Sequence, residues 1–278
     1  PARHALIPQL VPTEHTANSI ALMGTGMSLA GLVAPLIGGL VYSIAGAEVL
    51  YYTVASCQFL SVCFTTAINK KVRKIVKSSG RIMTDLRSGI IHVWNDHSVR
   101  NLLLIGIVIL MLGAPFVYFL PVLMIDVYQK GTGSLGLLVS AVGIGALAGT
   151  LWVASTRDKL NGPTILKSGL ILASGLLVGS LVSDYQIAIP IMVVIGFGNA
   201  FSWSLLQVSV LSRVPVEYRG RVMSMFMIMY GMVALTVYPS GILADMVGAR
   251  IVLFTLGLIL MTFIALVFFM QRKFNVIS

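Results

Sequence analysis

Residues 101–124 read NLLLIGIVILMLGAPFVYFLPVLM, and no residue in this stretch is acidic, basic or a histidine. A helix needs about 20 mostly apolar residues to cross the hydrocarbon core of a bilayer, which is roughly 30 Å thick. The stretch meets this length, and charged residues bound it at Arg100 and Asp126. It therefore predicts a helix that spans a membrane.

The rest of the chain repeats this pattern of long apolar runs bounded by charge, Pro or Gly. The other predicted spans are residues 17–43, 47–69, 132–155, 164–182, 186–211, 222–243 and 251–270. Hydrophobic residues make up 57% of the chain and charged residues only 10%, whereas an ordinary soluble domain is about 25% charged. So little charge cannot solvate a globular surface, and so apolar a chain is not intrinsically disordered. We therefore expect an all-α integral membrane protein whose eight transmembrane helices lie in a lipid bilayer.

The net charge of +10 has a simpler explanation than a nucleic-acid partner, and we expect no such partner. Counted on alternate sides of the spans, 17 Lys and Arg residues fall on one side, and only Lys130 and Arg250 fall on the other. Lys and Arg gather in cytoplasmic loops during membrane insertion. This count predicts a multi-pass protein of the inner or plasma membrane, with both termini of the chain in the cytoplasm.

The longest polar segment, residues 70–100, divides the chain into three parts. Residues 1–69 hold two spans, 70–100 form a basic cytoplasmic loop, and 101–278 hold six spans. Within the loop, apolar residues recur at four-residue steps with charged residues between them: Ile82, Leu86, Ile90 and Trp94. This spacing predicts an amphipathic helix on the membrane face, and a solvated linker is the alternative.

Small residues and prolines within the spans bear on how the helices pack. Small residues four apart are Gly145 with Gly149, Gly175 with Gly179, and Ala30 with Ala34 and Gly38. Such spacing lets helix backbones approach closely in lipid. Prolines expected to kink their helices are Pro35, Pro121 and Pro239.

Three segments of the chain match patterns known from one family of membrane proteins. They are residues 5–42, ALIPQLVPTEHTANSIALMGTGMSLAGLVAPLIGGLVY; residues 83–104, MTDLRSGIIHVWNDHSVRNLLL; and residues 214–226, VPVEYRGRVMSMF. In this order they resemble the fifth helix, the end of the central loop and the turn between the tenth and eleventh helices of major facilitator superfamily exporters. The similarity is strongest to the branch that exports drugs, macrolides and enterobactin. The chain is thus identified as a fragment matching helices five to twelve, with the N-terminal four missing.

The resemblance implies a secondary active transporter that exports small amphipathic compounds, such as a drug, macrolide or siderophore, by alternating access. It also implies a monomeric antiporter in which a proton is a candidate coupling ion. The family usually carries its proton-coupling carboxylate in helices one to four, so no coupling residue is assigned here. Without those helices, an inactive or structural membrane fragment is the alternative.

Neutral polar residues within the spans are the candidates for the substrate cavity. Asn199, Trp203 and Gln207 step by four along one span, so they share a helical face that offers hydrogen bonds and an aromatic wall. Gln58 and Tyr230 are further candidates of this kind. The alternative is that Asn and Gln bond neighbouring helices, as polar residues in membrane bundles commonly do.

The resemblance also assigns gating and packing roles. Residues 34–39 match the end of the antiporter motif through Pro35, Gly38 and Gly39, whereas Ala34 stands where the family usually has Gly. The contacts that hold the inward gate shut are predicted to come from Glu217, Arg219, Gly220 and Arg221. The alternative is that the charges of this segment only set the orientation of the chain in the membrane. Asp126 and Asp245 are interpreted as external gate or helix-end residues.

A membrane-embedded enzyme is a further alternative, and it would need a catalytic set in or beside a span. The four histidines lie outside the predicted spans, and Cys57 and Cys63 share one apolar run with no metal-ligand spacing around them. We therefore predict no catalytic residue, no metal and no cofactor, and a protein that is not an enzyme.

Overall fold

The computed structural model describes residues 16–67, 96–155 and 162–274. The helices in these ranges, in chain order, are α1 (Thr16–Thr66), α2 (His97–Gly113), α3 (Phe116–Asp126), α4 (Thr132–Ser155), α5 (Gly162–Leu181), α6 (Tyr185–Arg213), α7 (Val216–Met232), α8 (Ala234–Val247) and α9 (Ala249–Phe274). No strand occurs among the described residues.

Within those ranges, seven helical segments are long and apolar enough to cross a membrane. They are Ile44–Thr66, His97–Asp126, Gly133–Ser155, Pro163–Leu181, Tyr185–Arg213, Val222–Val247 and Ala249–Met270. The predicted span at residues 17–43 is helical throughout, as the first part of α1. The prediction of an all-α multi-pass membrane protein is therefore confirmed.

Helix α1 changes direction at Gly46, between the first two predicted spans. Gly46 has φ 80° and ψ 179°, a conformation that a residue with a Cβ rarely adopts. A Cβ on Gly38 would lie 3.9 Å from Cδ1 of Leu50, although twelve residues of straight helix would extend about 18 Å. The chain therefore folds back sharply at Gly46.

Helix α6 is the centre of the bundle, because it packs against α2, α4 and α5. Glycines allow these contacts to be close. A Cβ on Gly149 would lie 2.7 Å from the backbone oxygen of Phe197, and a Cβ on Gly198 would lie 2.7 Å from the backbone nitrogen of Leu172. The small residues of α4 thus bring its backbone into contact with that of α6, as the spacing predicts.

The two ends of the core are completed by α9 and α1. Helix α9 packs along α5, and α1 packs along α4. In the second half of α1, the described side chains from residue 51 to residue 67 are all exposed. Exposed apolar side chains are expected on a bundle whose solvent is lipid.

Arg250 ties the first turn of α9 to the last turn of α5. Its guanidinium donates hydrogen bonds to the carbonyl oxygens of Ser180 (2.9 Å) and Leu181 (2.6 Å) and to the Ser183 hydroxyl (3.0 Å). The last carbonyls of a helix lack donors within the helix and carry partial negative charge, so an arginine stabilises them. Tyr128 lies near Arg250. Burial raises the pKa of its phenol above the ordinary value, and the positive charge of Arg250 partly offsets this by lowering the pKa.

Some predictions fall outside the described residues. The amphipathic helix expected between Ile82 and Trp94 lies in the range 68–95, and the side chain of Pro35 is also not described. The three-part division of the chain stays a prediction.

We predict that Gly149→Ala lowers the free energy of unfolding by about 1–3 kcal/mol, because the new methyl group overpacks the contact with Phe197. Gly241→Ala is the matched control, since a Cβ there would meet nothing within 4 Å, and it should be neutral or stabilising by up to about 1 kcal/mol through helix propensity. Denaturant unfolding in detergent micelles measures both. Equal effects of the two substitutions would refute a backbone contact between α4 and α6.

Candidate functional site

A cavity of about 320 Å³ lies between three of the spans. Its walls come from α2 with α3, from α6, and from α7 with the residue that follows it. The lining residues are Leu110, Ala114, Val117, Tyr118, Asn199, Ala200, Trp203, Tyr230 and Val233. None of these described lining residues carries a charge.

The cavity lies at mid-span. Asn199 is 14 residues from each end of α6, which is about 21 Å along the helix axis. Ala114 and Val233 lie close to the middle of the spans His97–Asp126 and Val222–Val247. The cavity is therefore placed near the midplane of the bilayer.

Two of the spans are interrupted where they border this cavity. The first breaks at Ala114 and Pro115 between α2 and α3, and the second breaks at Val233 between α7 and α8. Both breaks contain hydrogen bonds to the third preceding residue, from the Tyr118 N–H to the Pro115 carbonyl (3.0 Å) and from the Val233 N–H to the Tyr230 carbonyl (3.3 Å). Such tightened turns within a helix often mark a hinge.

The breaks lie on the N-terminal side of the prolines that were expected to kink these spans. Pro121 and Pro239 are both inside helices, α3 and α8. A proline removes a hydrogen bond from the preceding turn and crowds the carbonyl four residues before it. The carbonyls affected are those of Val117 and Leu235, which lie in the first turns of α3 and α8, just after the breaks. At the first break, Pro115 itself also lacks an N–H.

Aromatic rings form one wall of the cavity. The ring of Trp203 meets that of Phe226 at 5.6 Å between centroids and 82°, and that of Tyr230 at 6.0 Å and 61°. Phe226 is only 1% exposed, whereas Tyr118 is 60% exposed and Tyr230 is 61% exposed. Phe226 thus supports Trp203 from the core, and the two tyrosines border the open space.

Two lining side chains of α6, Asn199 and Trp203, carry polar groups. Within the described part of the chain, neither the Asn199 amide nor the Trp203 indole N–H makes a hydrogen bond. On this stretch of α6, Ser202 makes a hydrogen bond to a neighbouring helix, because its hydroxyl lies 2.9 Å from that of Ser168 on α5. Because Asn199 does not bond a neighbouring helix in these ranges, the binding interpretation is favoured, and it stays a prediction.

The other two cavity candidates lie elsewhere. Gln207 is one turn beyond Trp203 on α6 and does not line the cavity, and Gln58 is exposed on the second half of α1. Sequence reasoning missed Tyr118 and Ala200 as lining residues. The available signal was the phenol hydroxyl of Tyr118, a polar group within the uncharged run 101–124.

The predicted gating residues lie at helix ends or in α1. The segment with Glu217, Arg219, Gly220 and Arg221 forms the start of α7, and the side chains of these residues are not described. Asp126 ends α3 and Asp245 lies near the end of α8, and both are exposed. In α1, Ala34 is exposed and Gly38 and Gly39 are half-buried. Their roles in gating or packing stay predictions.

The described residues contain no group of three or more His, Cys, Asp or Glu side chains that could hold a metal ion. Cys57 and Cys63 are free and exposed on α1. Within these ranges, the cavity is thus the best-developed candidate site.

Comparison with known proteins agrees with the helical architecture. Residues 1–276 match the profile of a major facilitator family described as transmembrane secretion effector. A staphyloferrin A transporter from Staphylococcus aureus (strain NCTC 8325 / PS 47) is 22% identical over 274 residues, which cover 98% of this chain and 68% of that protein.

We expect Asn199→Leu to raise the free energy of unfolding by up to about 1 kcal/mol while it weakens ligand binding by about ten-fold, since it removes from a membrane span a polar group that has no partner among the described residues. Ser202→Ala is the comparison, because it breaks the bond to Ser168 and should destabilise the bundle by about 0.5–1.5 kcal/mol. Unfolding in detergent measures both changes. A destabilised Asn199→Leu variant would indicate that Asn199 serves packing instead.

Proposed function

This chain belongs to the transmembrane secretion effector family of the major facilitator superfamily, and we propose that it exports a small amphipathic compound by alternating access. It is a multi-pass membrane protein, and its family and its similarity to a staphyloferrin A transporter support a transport function. The observation that carries the proposal is the mid-span cavity, which is lined by aromatic rings and by polar groups that have no partner among the described residues.

The position of the cavity supports a transport mechanism. Secondary transporters hold their substrate near the bilayer midplane and rock one half of the fold around it. A site at mid-span can serve both sides of the membrane if the protein opens to each side in turn. The two helix breaks that border it, at Ala114 and Val233, are where the spans could bend.

The lining supports an amphipathic cargo. Tyr118, Trp203 and Tyr230 offer apolar ring surface, and Asn199 offers one hydrogen-bonding amide. Sites for small molecules are commonly built in this way, from an apolar wall and a few placed polar groups. We take a drug, a macrolide or a siderophore as the cargo, and the relative's staphyloferrin A is consistent with a small organic compound.

We further propose that the protein lies in the plasma or inner membrane with both termini of the chain in the cytoplasm. The count of Lys and Arg residues, 17 on one side of the spans and 2 on the other, favours this orientation. We propose a monomeric antiporter with a proton as coupling ion. No described lining residue is an acid or a histidine. The proton-binding group is therefore expected outside this cavity.

The test is to fill the cavity. Ala200→Trp places a large ring in the cavity, and we predict that it lowers the rate of efflux of a preloaded siderophore, macrolide or dye by more than ten-fold. Ala148→Trp is the matched control, because Ala148 is exposed on α4 away from the cavity, and its efflux should stay within two-fold of the parent. Efflux is followed in cells that express each variant to equal levels.

Two results would contradict the proposal. Equal efflux by both tryptophan variants would place the substrate path elsewhere. Net uptake of the compound would overturn the export direction.

A further inference from the structure

We propose that this cavity binds a flat, uncharged ring of the transported compound against Trp203, with a carbonyl or amide group beside the ring paired to Asn199. The inference rests on the proposed function, because it names the chemistry of the cargo that the same cavity would take. It assigns ring recognition to Trp203, Tyr118 and Tyr230, and polar recognition to Asn199.

The ring preference follows from three helices that bring aromatic side chains to one space. Tyr118 comes from α3, Trp203 from α6 and Tyr230 from α7, and all three line the cavity. Trp203 packs edge-on against Phe226, which is 1% exposed, and this contact restricts its indole before a ligand arrives. A fixed ring loses little freedom on binding, and aromatic pairs gain up to about ten-fold in affinity beyond simple burial.

The polar preference follows from Asn199. Its amide has one acceptor and two donors, and the nearby Trp203 indole has one donor. Within the described residues none of these groups has a hydrogen-bond partner, and both side chains line the cavity. A carbonyl or amide next to the ligand's ring would pair with them and remove the cost of leaving them unpaired.

The preference for an uncharged group follows from the lining as a whole. Its nine described residues include no cation to pair with a carboxylate and no anion to pair with an ammonium group. A charge moved to mid-span without a partner is costly. The ring and its polar substituent are therefore expected to be neutral.

Size limits how much of the cargo this cavity holds. Its volume of about 320 Å³ is at the small end of the range of about 300–1,000 Å³ for small-molecule sites. It fits a ring system with one substituent. A larger compound would place one ring-bearing arm here.

Three matched probes test the inference. They are 2-naphthamide, which is flat and neutral, its decahydro derivative, which has the amide without the aromatic ring, and 2-naphthoate, which has the ring with a negative charge. Binding of each is measured by equilibrium dialysis with the full chain in nanodiscs. We expect 2-naphthamide to bind at least five-fold more tightly than either of the others.

Substitutions in the lining test which side chains cause the preference for a flat, neutral ring. Trp203→Leu should bring the ratio between 2-naphthamide and its decahydro derivative close to one, whereas Trp203→Phe, which keeps a ring, should preserve most of it. Trp152→Leu is the matched control, since Trp152 is exposed on α4 outside the lining, and it should leave the ratio unchanged. Asn199→Leu should weaken 2-naphthamide by about ten-fold.

The outcomes separate this inference from the proposed function. Equal affinities for the three probes, all lost in Ala200→Trp, would leave the cavity as the binding site and overturn the ring preference. Probe binding that Ala200→Trp does not affect would overturn both. Absence of measurable 2-naphthamide binding would overturn the ring preference, and efflux in the Ala200→Trp comparison would then decide the proposed function alone.

Discussion

The bilayer core offers no water to the backbone, so every peptide group within it must find its partner inside the protein. This constraint makes each span a helix, and it leaves packing between helices to close van der Waals contact instead of hydrophobic burial. Gly149 on α4 and Gly198 on α6 meet the backbone of the neighbouring helix at distances that exclude a side chain. The position of α6 at the centre of the bundle, and hence the position of Asn199 and Trp203, depends on these contacts.

The same constraint explains why the cavity is a candidate binding site. Polar groups that lack a partner at mid-span are costly, and serines such as Ser202 show how this bundle pairs its hydroxyls when they serve packing. Asn199 is not paired in this way within the described residues, and it lies beside two interrupted spans and a ring held in place by Phe226. A transported compound that pairs with Asn199 would offset this cost.

Much of this architecture could be predicted from the sequence, because the apolar length that makes a span acts one span at a time. The face shared by Asn199 and Trp203 follows from a four-residue step along a single helix. Tyr118 could not be found in this way, since only the packing of α3 beside α6 brings it to the cavity. Gln207 failed to reach the cavity for the converse reason, because a shared face does not fix how far along the helix a cavity extends.

Accessibility of the cavity from the two sides of the membrane tests the central claim most directly. With Cys57 and Cys63 replaced by serine, an Ala200→Cys variant carries a single thiol in the lining. Alternating access predicts that a membrane-impermeant thiosulfonate modifies this thiol from the cytoplasmic side and, in a separate preparation, from the outer side. Reaction from one side only, or from neither, would contradict a mid-span site that opens to both.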